Sequence, residues 1–119
     1  MTDSQVAAVG VVVPAFNEEE LLPACLDALT LAMAAVDLPS WAVVVLDDCE
    51  DQSAAAVRGR PRFETLELQV RNVGLARAAG FAAILRWARS LPPERLWLAS
   101  TDADSTVPRD WLEVQLEYA

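Results

Sequence analysis

Two short runs of small and β-branched apolar residues constrain the fold of this chain more than any other feature. Residues 6–13 form the first run, which stops at Pro14, and residues 41–46 form the second, which stops at the pair Asp47-Asp48. Apolar runs of this length without alternation are typical of strands buried on both faces of a parallel sheet. Each run precedes a segment with a helical pattern, so the sequence predicts repeated strand–helix units.

The remainder of the chain continues this alternation. The three glutamates at 18–20 are predicted to open the first helix, where acidic side chains suit the positive end of the helix dipole. The fold class that follows is α/β, with a Rossmann-like parallel sheet and flanking helices. The other predicted elements are a short helix over 52–58, strands over 65–70 and 96–99, and helices over 74–90 and from about Pro108 to the end.

Three polar clusters directly follow predicted strands. They are residues 14–18, the pair Asp47-Asp48, and residues 102–104. Because the carboxyl ends of parallel strands meet at one edge, we expect the clusters to converge where open α/β sheets bind ligands. Converging carboxylates raise one another's pKa unless a cation compensates them. Hard oxygen ligands select Mn²⁺ or Mg²⁺, and phosphate oxygens or water complete the coordination. Capping of helices and solvation of loops is the alternative interpretation of these acids.

Composition excludes several classes of protein. The chain has 119 residues and a net charge of −9, and it contains neither Lys nor His. A His general base, a Ser/His/Asp triad, a His-ligated zinc and a Schiff-base lysine are therefore impossible. The acidic charge argues against a nucleic-acid partner. No apolar run is long enough to be transmembrane and the start lacks the positive region of a signal peptide, so we expect a cytoplasmic protein.

Four motifs occur in a fixed order along the chain. They are Val11-Val12-Val13-Pro14-Ala15-Phe16-Asn17-Glu18, Val44-Val45-Leu46-Asp47-Asp48, Asn72-Val73-Gly74-Leu75-Ala76-Arg77 and Thr101-Asp102-Ala103-Asp104-Ser105. In this order, the set resembles the N-terminal nucleotide-binding half of a family 2 glycosyltransferase of the GT-A fold. The resemblance implies that residues 1–119 are a single nucleotide-sugar binding domain, apparently truncated and lacking the acceptor-binding C-terminal half. The general base that activates the acceptor is expected in that half.

The resemblance also implies an activity and a set of site residues. The activity is transfer of a sugar from a UDP- or GDP-linked donor to an unidentified acceptor, with inversion and with Mn²⁺ or Mg²⁺ as cofactor. Asp102 would lie near the ribose or the metal, and Asp104 would bind the metal on the diphosphate. Residues 72–80 would form a turn and helix start near the diphosphate or donor sugar. Within them, Arg77 is either a cation near the diphosphate or a solvent-facing helix charge. The implied nucleotide-sugar-binding residues are Pro14, Phe16, Glu18, Leu46, Asp48, Arg77, Asp102, Ala103 and Asp104.

One departure from the family pattern and two other functions complete the sequence-based picture. Cys49-Glu50 stands where family members usually carry small or hydroxyl residues. One alternative function is a non-catalytic nucleotide-sugar-binding half-domain, which would form homo-oligomers or dock onto a missing half through exposed apolar surface. The other is a phosphatase of the haloacid-dehalogenase type with Asp102 as nucleophile, because residues 96–98 and 102–107 also resemble the nucleophile motif of that family.

Overall fold

The computed structural model describes residues 5–119; residues 1–4, which begin the segment tested above for a signal peptide, lie outside the described residues. Strands and helices alternate along the chain, as predicted. The strands are β1 (Ala8–Ala15), β2 (Ser40–Asp47), β3 (Phe63–Leu68) and β4 (Leu96–Ser100). The helices are α1 (Leu22–Ala34), α2 (Ser53–Val57), α3 (Val73–Trp87) and α4 (Trp111–Leu116), with a short 3₁₀ turn over Pro93–Arg95.

The four strands form one parallel sheet in the order β3-β2-β1-β4. Central β1 is buried along its whole length, as its unbroken apolar run predicts. Its register with β2 runs from Val9 opposite Ser40 to Ala15 opposite Leu46. The α/β class with a parallel sheet is confirmed, and the loops after β1, β2 and β4 leave the sheet at the same edge.

Helices cover both faces of this sheet. Buried residues of α1, α2 and α4 share one core cluster with alternate residues of β1 and β2, including Val11 and Val44. Helix α3 covers the other face and packs Ala76 and Ile84 against Val12. Among residues 5–119, no helix is long and apolar enough to cross a membrane.

Several predicted boundaries are wrong for identifiable reasons. Strand β3 begins at Phe63, two residues before the predicted range 65–70, because the Phe63 side chain is the buried anchor of that strand. The glutamates at 18–20 form a turn before α1, which begins at Leu22, because Pro23 in its first turn has no N–H to bond the carbonyl of Glu19.

The boundaries of β1 and α4 also differ from prediction. Pro14 lies inside β1, whereas the sequence predicts that it ends the strand. The register with β4 stops at Val12 opposite Ser100, so near Pro14 the strand has a partner on one side only, where a proline is tolerated. Helix α4 begins at Trp111 and not near Pro108.

Candidate functional site

A cavity of about 560 Å³ lies at the edge of the sheet where β1, β2 and β4 end. This is the edge at which open parallel sheets bind ligands. The loops after β1 and β4 and the start of α3 form its walls. Its lining residues are Pro14, Ala15, Phe16, Glu18, Asp47, Arg71, Asn72, Val73, Ala76, Asp102, Ala103 and Asp104.

Asp47, the last residue of β2, binds the backbone of the segment between β3 and α3. One carboxylate oxygen accepts the N–H groups of Val70 at 2.8 Å and Arg71 at 2.9 Å, and the other accepts the N–H of Asn72 at 3.0 Å. Burial would raise the pKa of this carboxyl, but the three backbone donors and the nearby Arg71 outweigh it, so the pKa lies below its ordinary value. Asp47 is therefore ionised at neutral pH although it is buried.

Asp48 makes an ion pair with a cation of the cavity wall. Its carboxylate lies 2.5 Å from Nε of Arg71, whose side chain is largely exposed. Both residues have positive φ, 55° at Asp48 and 48° at Arg71. Asp47 thus binds the backbone N–H of Arg71, and Asp48 binds its side chain. Asp48 also raises the pKa of Arg71 above its ordinary value, so the guanidinium is charged.

The unusual Cys49-Glu50 sequence joins the loop after β2 to the loop after β1. The thiol of Cys49 donates to the carbonyl of Ala15 at 3.5 Å and accepts the N–H of Asn17 at 3.3 Å. The side-chain oxygen of Asn17 accepts the N–H of Glu50 at 2.8 Å. Asn17 has a positive φ of 48°, which asparagine tolerates better than most residues. The departure from the family pattern is thus accommodated by contacts between the two loops.

Ser53 and Asp51 extend the connection between these loops. The Ser53 hydroxyl accepts the N–H of Glu18 at 3.1 Å and donates to the carboxylate of Asp51 at 2.6 Å. The other oxygen of Asp51 accepts the N–H of Glu19 at 3.1 Å. Desolvation opposes ionisation of Asp51, but these bonds prevail and lower its pKa. The backbone beside Phe16 in the cavity wall is therefore held by buried Ser53.

On the opposite side of the cavity, Asp102 is the better tethered of the two acids that follow β4. Arg77 of α3 lies 3.5 Å from the Asp102 carboxylate, and its Nε donates to the hydroxyl of Ser100 at 3.1 Å. The buried thiol of Cys25 donates to the Asp102 carbonyl at 3.6 Å. Asp104 is exposed. Asp102 is exposed as well, so both carboxylates are accessible on a turn that Arg77 and Cys25 hold at Asp102.

The structure brings most of the predicted site residues to this cavity. Arg77 reaches it only through Asp102, and Asp48 only through Arg71. Leu46 is buried in the core and does not line the cavity. Six of the predicted residues line the cavity directly: Pro14, Phe16, Glu18, Asp102, Ala103 and Asp104.

The resemblance places residues 72–80 near the diphosphate or donor sugar, but it does not select Arg71, which also lines the cavity. A lone Arg in a predicted loop carries no signal of its own, and only the bonds from Asp47 bring this segment to the cavity. The position of Asn72 as the residue that caps α3 was the available signal, since its side chain accepts the N–H of Leu75 at 2.9 Å.

Asp102 and Asp104 are the residues with the right chemistry for a hard divalent cation. Both are carboxylates on the cavity wall, and oxygen ligands suit Mn²⁺ and Mg²⁺. Within residues 5–119, no group of three or more His, Cys, Asp or Glu side chains is arranged to hold a metal. A cation here therefore needs oxygen ligands beyond those of the described residues.

The parallel sheet and the acid-lined cavity define an open α/β domain, a class whose ligands bind at the carboxyl edge of the sheet. The sequence matches the Glycosyl transferase family 2 over residues 10–119. The chain belongs to this family, which confirms the resemblance seen in the sequence. The family match does not favour the phosphatase or the non-catalytic alternative. No curated protein sequence matches the chain significantly.

Solved structures share the fold. Two crystal structures of residues 1–349 of TarS from S. aureus, one of them in complex with UDP-GlcNAc, each superpose with a TM-score of 0.68 at 18% identity over 92% of this chain. A third structure of TarS has a TM-score of 0.62 at the same identity and coverage. This chain spans 31%, 30% and 19% of those three chains, less than a third in each case.

Proposed function

We propose that this chain binds the donor of a glycosyltransferase reaction, a UDP- or GDP-linked sugar, for transfer to a separate acceptor with inversion. The observation that carries the proposal is the cavity at the carboxyl edge of the sheet, with Asp102 and Asp104 on one side and Phe16 and Arg71 on the other, in a chain of glycosyl transferase family 2. Its volume of about 560 Å³ lies in the range of small-ligand sites.

The charges of the cavity support a definite orientation of the donor. In this proposal the base lies beside Phe16, whose exposed ring offers a stacking surface, and near the Asp48–Arg71 pair. The diphosphate lies toward Asp102 and Asp104. Two carboxylates would repel a diphosphate, so this placement requires a cation between them.

Mn²⁺ or Mg²⁺ is the proposed cation, held by Asp104 and Asp102. Asp104 is the stronger candidate because Asp102 already faces Arg77 at 3.5 Å. When bound, the metal would invert the local field and stabilise negative charge on the departing nucleoside diphosphate. The residues of this chain bind and orient the donor, and the acceptor and its general base belong outside this cavity in the proposal.

Titration calorimetry with nucleoside diphosphates tests the proposal. We expect UDP or GDP to bind the chain in the presence of Mn²⁺ and to bind much more weakly without it. UDP and UDP-GlcNAc are the first ligands to try, since the TarS structure with a similar fold contains UDP-GlcNAc. Asp104→Ala should abolish the gain in nucleotide affinity that Mn²⁺ gives. Asp37→Ala should not, because Asp37 is an exposed acid before β2, at the other end of the sheet. If neither nucleotide binds with Mn²⁺ present, the proposal is wrong.

A further inference from the structure

We infer that Asp47 is a positioning residue for the nucleotide: its carboxylate fixes the backbone of residues 70–72 as one wall of the cavity and sets the start of α3. This inference rests on the proposed function, because a residue can position a nucleotide only if the cavity binds one. Asp47 itself was not among the residues that the family resemblance assigns to the site.

The hydrogen bonds of Asp47 carry the argument. Its two oxygens already accept three backbone N–H groups at 2.8 to 3.0 Å, all from residues 70–72. Three of the about four acceptor sites of this buried carboxylate are therefore occupied, which makes it a poor ligand for a base or a metal. It acts instead as a fixed anion around which the loop folds.

Hydrogen bonds connect Asp47 to the start of α3 through Asn72. Asn72 donates its N–H to Asp47 and, through its side-chain oxygen, accepts the N–H of Leu75 at 2.9 Å. One turn later, buried Ala76 lines the cavity. Asp47 at the end of β2 is thus joined to the first turn of the helix that covers the sheet.

The same bonds hold an unfavourable backbone conformation. Arg71 has a φ of 48°, in the left-handed region that non-glycine residues rarely adopt. In that conformation its N–H bonds to Asp47 and its side chain bonds to Asp48. Loss of the Asp47 anchor should release the turn and move the Arg71 guanidinium away from the cavity.

Asp47→Asn is the informative substitution because it keeps the size of the side chain and changes its hydrogen-bonding capacity. The amide group has one acceptor oxygen and one donor nitrogen, so in either orientation a donor faces at least one of the three N–H groups. We expect the Kd for UDP with Mn²⁺ to rise about tenfold or more. Hydrogen exchange should accelerate at residues 70–76, while the sheet amides retain their protection.

Two further variants separate the possible causes. Arg71→Ala removes the guanidinium but keeps the backbone N–H on Asp47, so it should weaken binding less than Asp47→Asn and leave exchange at residues 70–76 slow. Glu67→Gln, on the exposed side of β3, is the control and should change neither quantity. If Asp47→Asn does not fold, Asp47→Ser replaces it, since its smaller side chain leaves room for a bridging water.

The outcomes distinguish this inference from the proposed function. Failure of the wild-type chain to bind UDP or GDP with Mn²⁺ overturns the proposed function, and the role of Asp47 in binding with it. Binding by the wild type and equally tight binding by a folded Asp47 variant overturns the inference alone. The Asp47 variant could also lose hydrogen-exchange protection uniformly over the whole sheet while its folded fraction keeps its affinity. That result would assign Asp47 a general stabilising role and would also overturn the inference.

Discussion

Gly80 of α3 lies so close to Val12 of β1 that a Cβ built on the glycine would come within 2.4 Å of Cγ1 of Val12. It would also lie 3.0 Å from Cγ2 of Val45 on the neighbouring strand. The helix therefore rests directly on the centre of the sheet. This approach helps place the first turn of α3, which carries Ala76 and the preceding cavity wall, above the carboxyl edge.

Gly80→Ala should therefore destabilise the protein. The strain of an added methyl in a packed core, about 1–3 kcal/mol, exceeds the gain in helix propensity of about 1 kcal/mol. Gly74→Ala in the same helix is the matched control, since its Cβ would meet one atom only, the Asn72 side-chain oxygen at 3.2 Å. Urea denaturation at pH 7 measures both. A Gly80→Ala protein as stable as the wild type would show that α3 does not pack this closely.

Ser53→Ala should loosen the loop that carries Phe16 and Glu18. The hydroxyl is fully buried and bonds both the Glu18 N–H and the Asp51 carboxylate. Its loss leaves a backbone donor without that partner, at a cost of about 1–3 kcal/mol. We expect lower stability in urea and weaker binding of UDP with Mn²⁺. Ser90 is exposed, so Ser90→Ala should alter neither quantity. If Ser53→Ala binds UDP as tightly as the wild type, the contacts of Ser53 do not influence the site.

The fold could be predicted from the sequence because its main signals are local. The two apolar runs become β1 and β2, the pair at the centre of the hydrogen-bonded sheet. Asp102 and Asp104 were also predictable, since an acid directly after a parallel strand reaches the carboxyl edge wherever the helices pack.

The different contacts of Asp47 and Asp48 could not be predicted from the sequence. Asp47 binds the backbone of residues 70–72, whereas Asp48, which has a positive φ, binds the side chain of Arg71. Both acids make these contacts with a loop more than twenty residues away in sequence. Arg71 was missed for the same reason, because its place in the cavity depends on tertiary hydrogen bonds.

Arg77→Gln should tighten the binding of Mn²⁺ to the free protein. Arg77 faces Asp102 at 3.5 Å and competes with a metal for that carboxylate. Both side chains are partly exposed, so the pair contributes little, and the expected gain in affinity is about two- to fivefold. Electron paramagnetic resonance of free Mn²⁺ measures it, with Arg86→Gln in the last turn of α3 as control. A fall in Mn²⁺ affinity would mean that Arg77 organises the acids and does not compete for them.

The stability of the protein should decline in acid partly through Asp47. Its pKa is lower in the folded state than the ordinary value of 3.8, so its contribution is complete above that value and is lost as the pH falls through the folded pKa. Asp47→Asn should be less stable than the wild type at pH 7, by about 1–3 kcal/mol, and the difference should shrink below about pH 4. Urea unfolding from pH 7 to pH 3 measures this convergence, and a difference that is independent of pH would contradict it.

Cys25 should be nearly inert to alkylation in the folded protein. Burial, followed by the charges of Asp104 and Asp102, raises the pKa of its thiol from 9.0 to about 11. At pH 8 the thiolate fraction falls about a hundredfold, and burial of the sulfur slows the reaction further. Iodoacetamide labelling of a Cys49→Ala variant, followed by mass spectrometry, isolates Cys25, and the same variant in urea supplies the unprotected rate. Rapid labelling of the folded variant would show that α1 does not pack against the turn that bears the two acids.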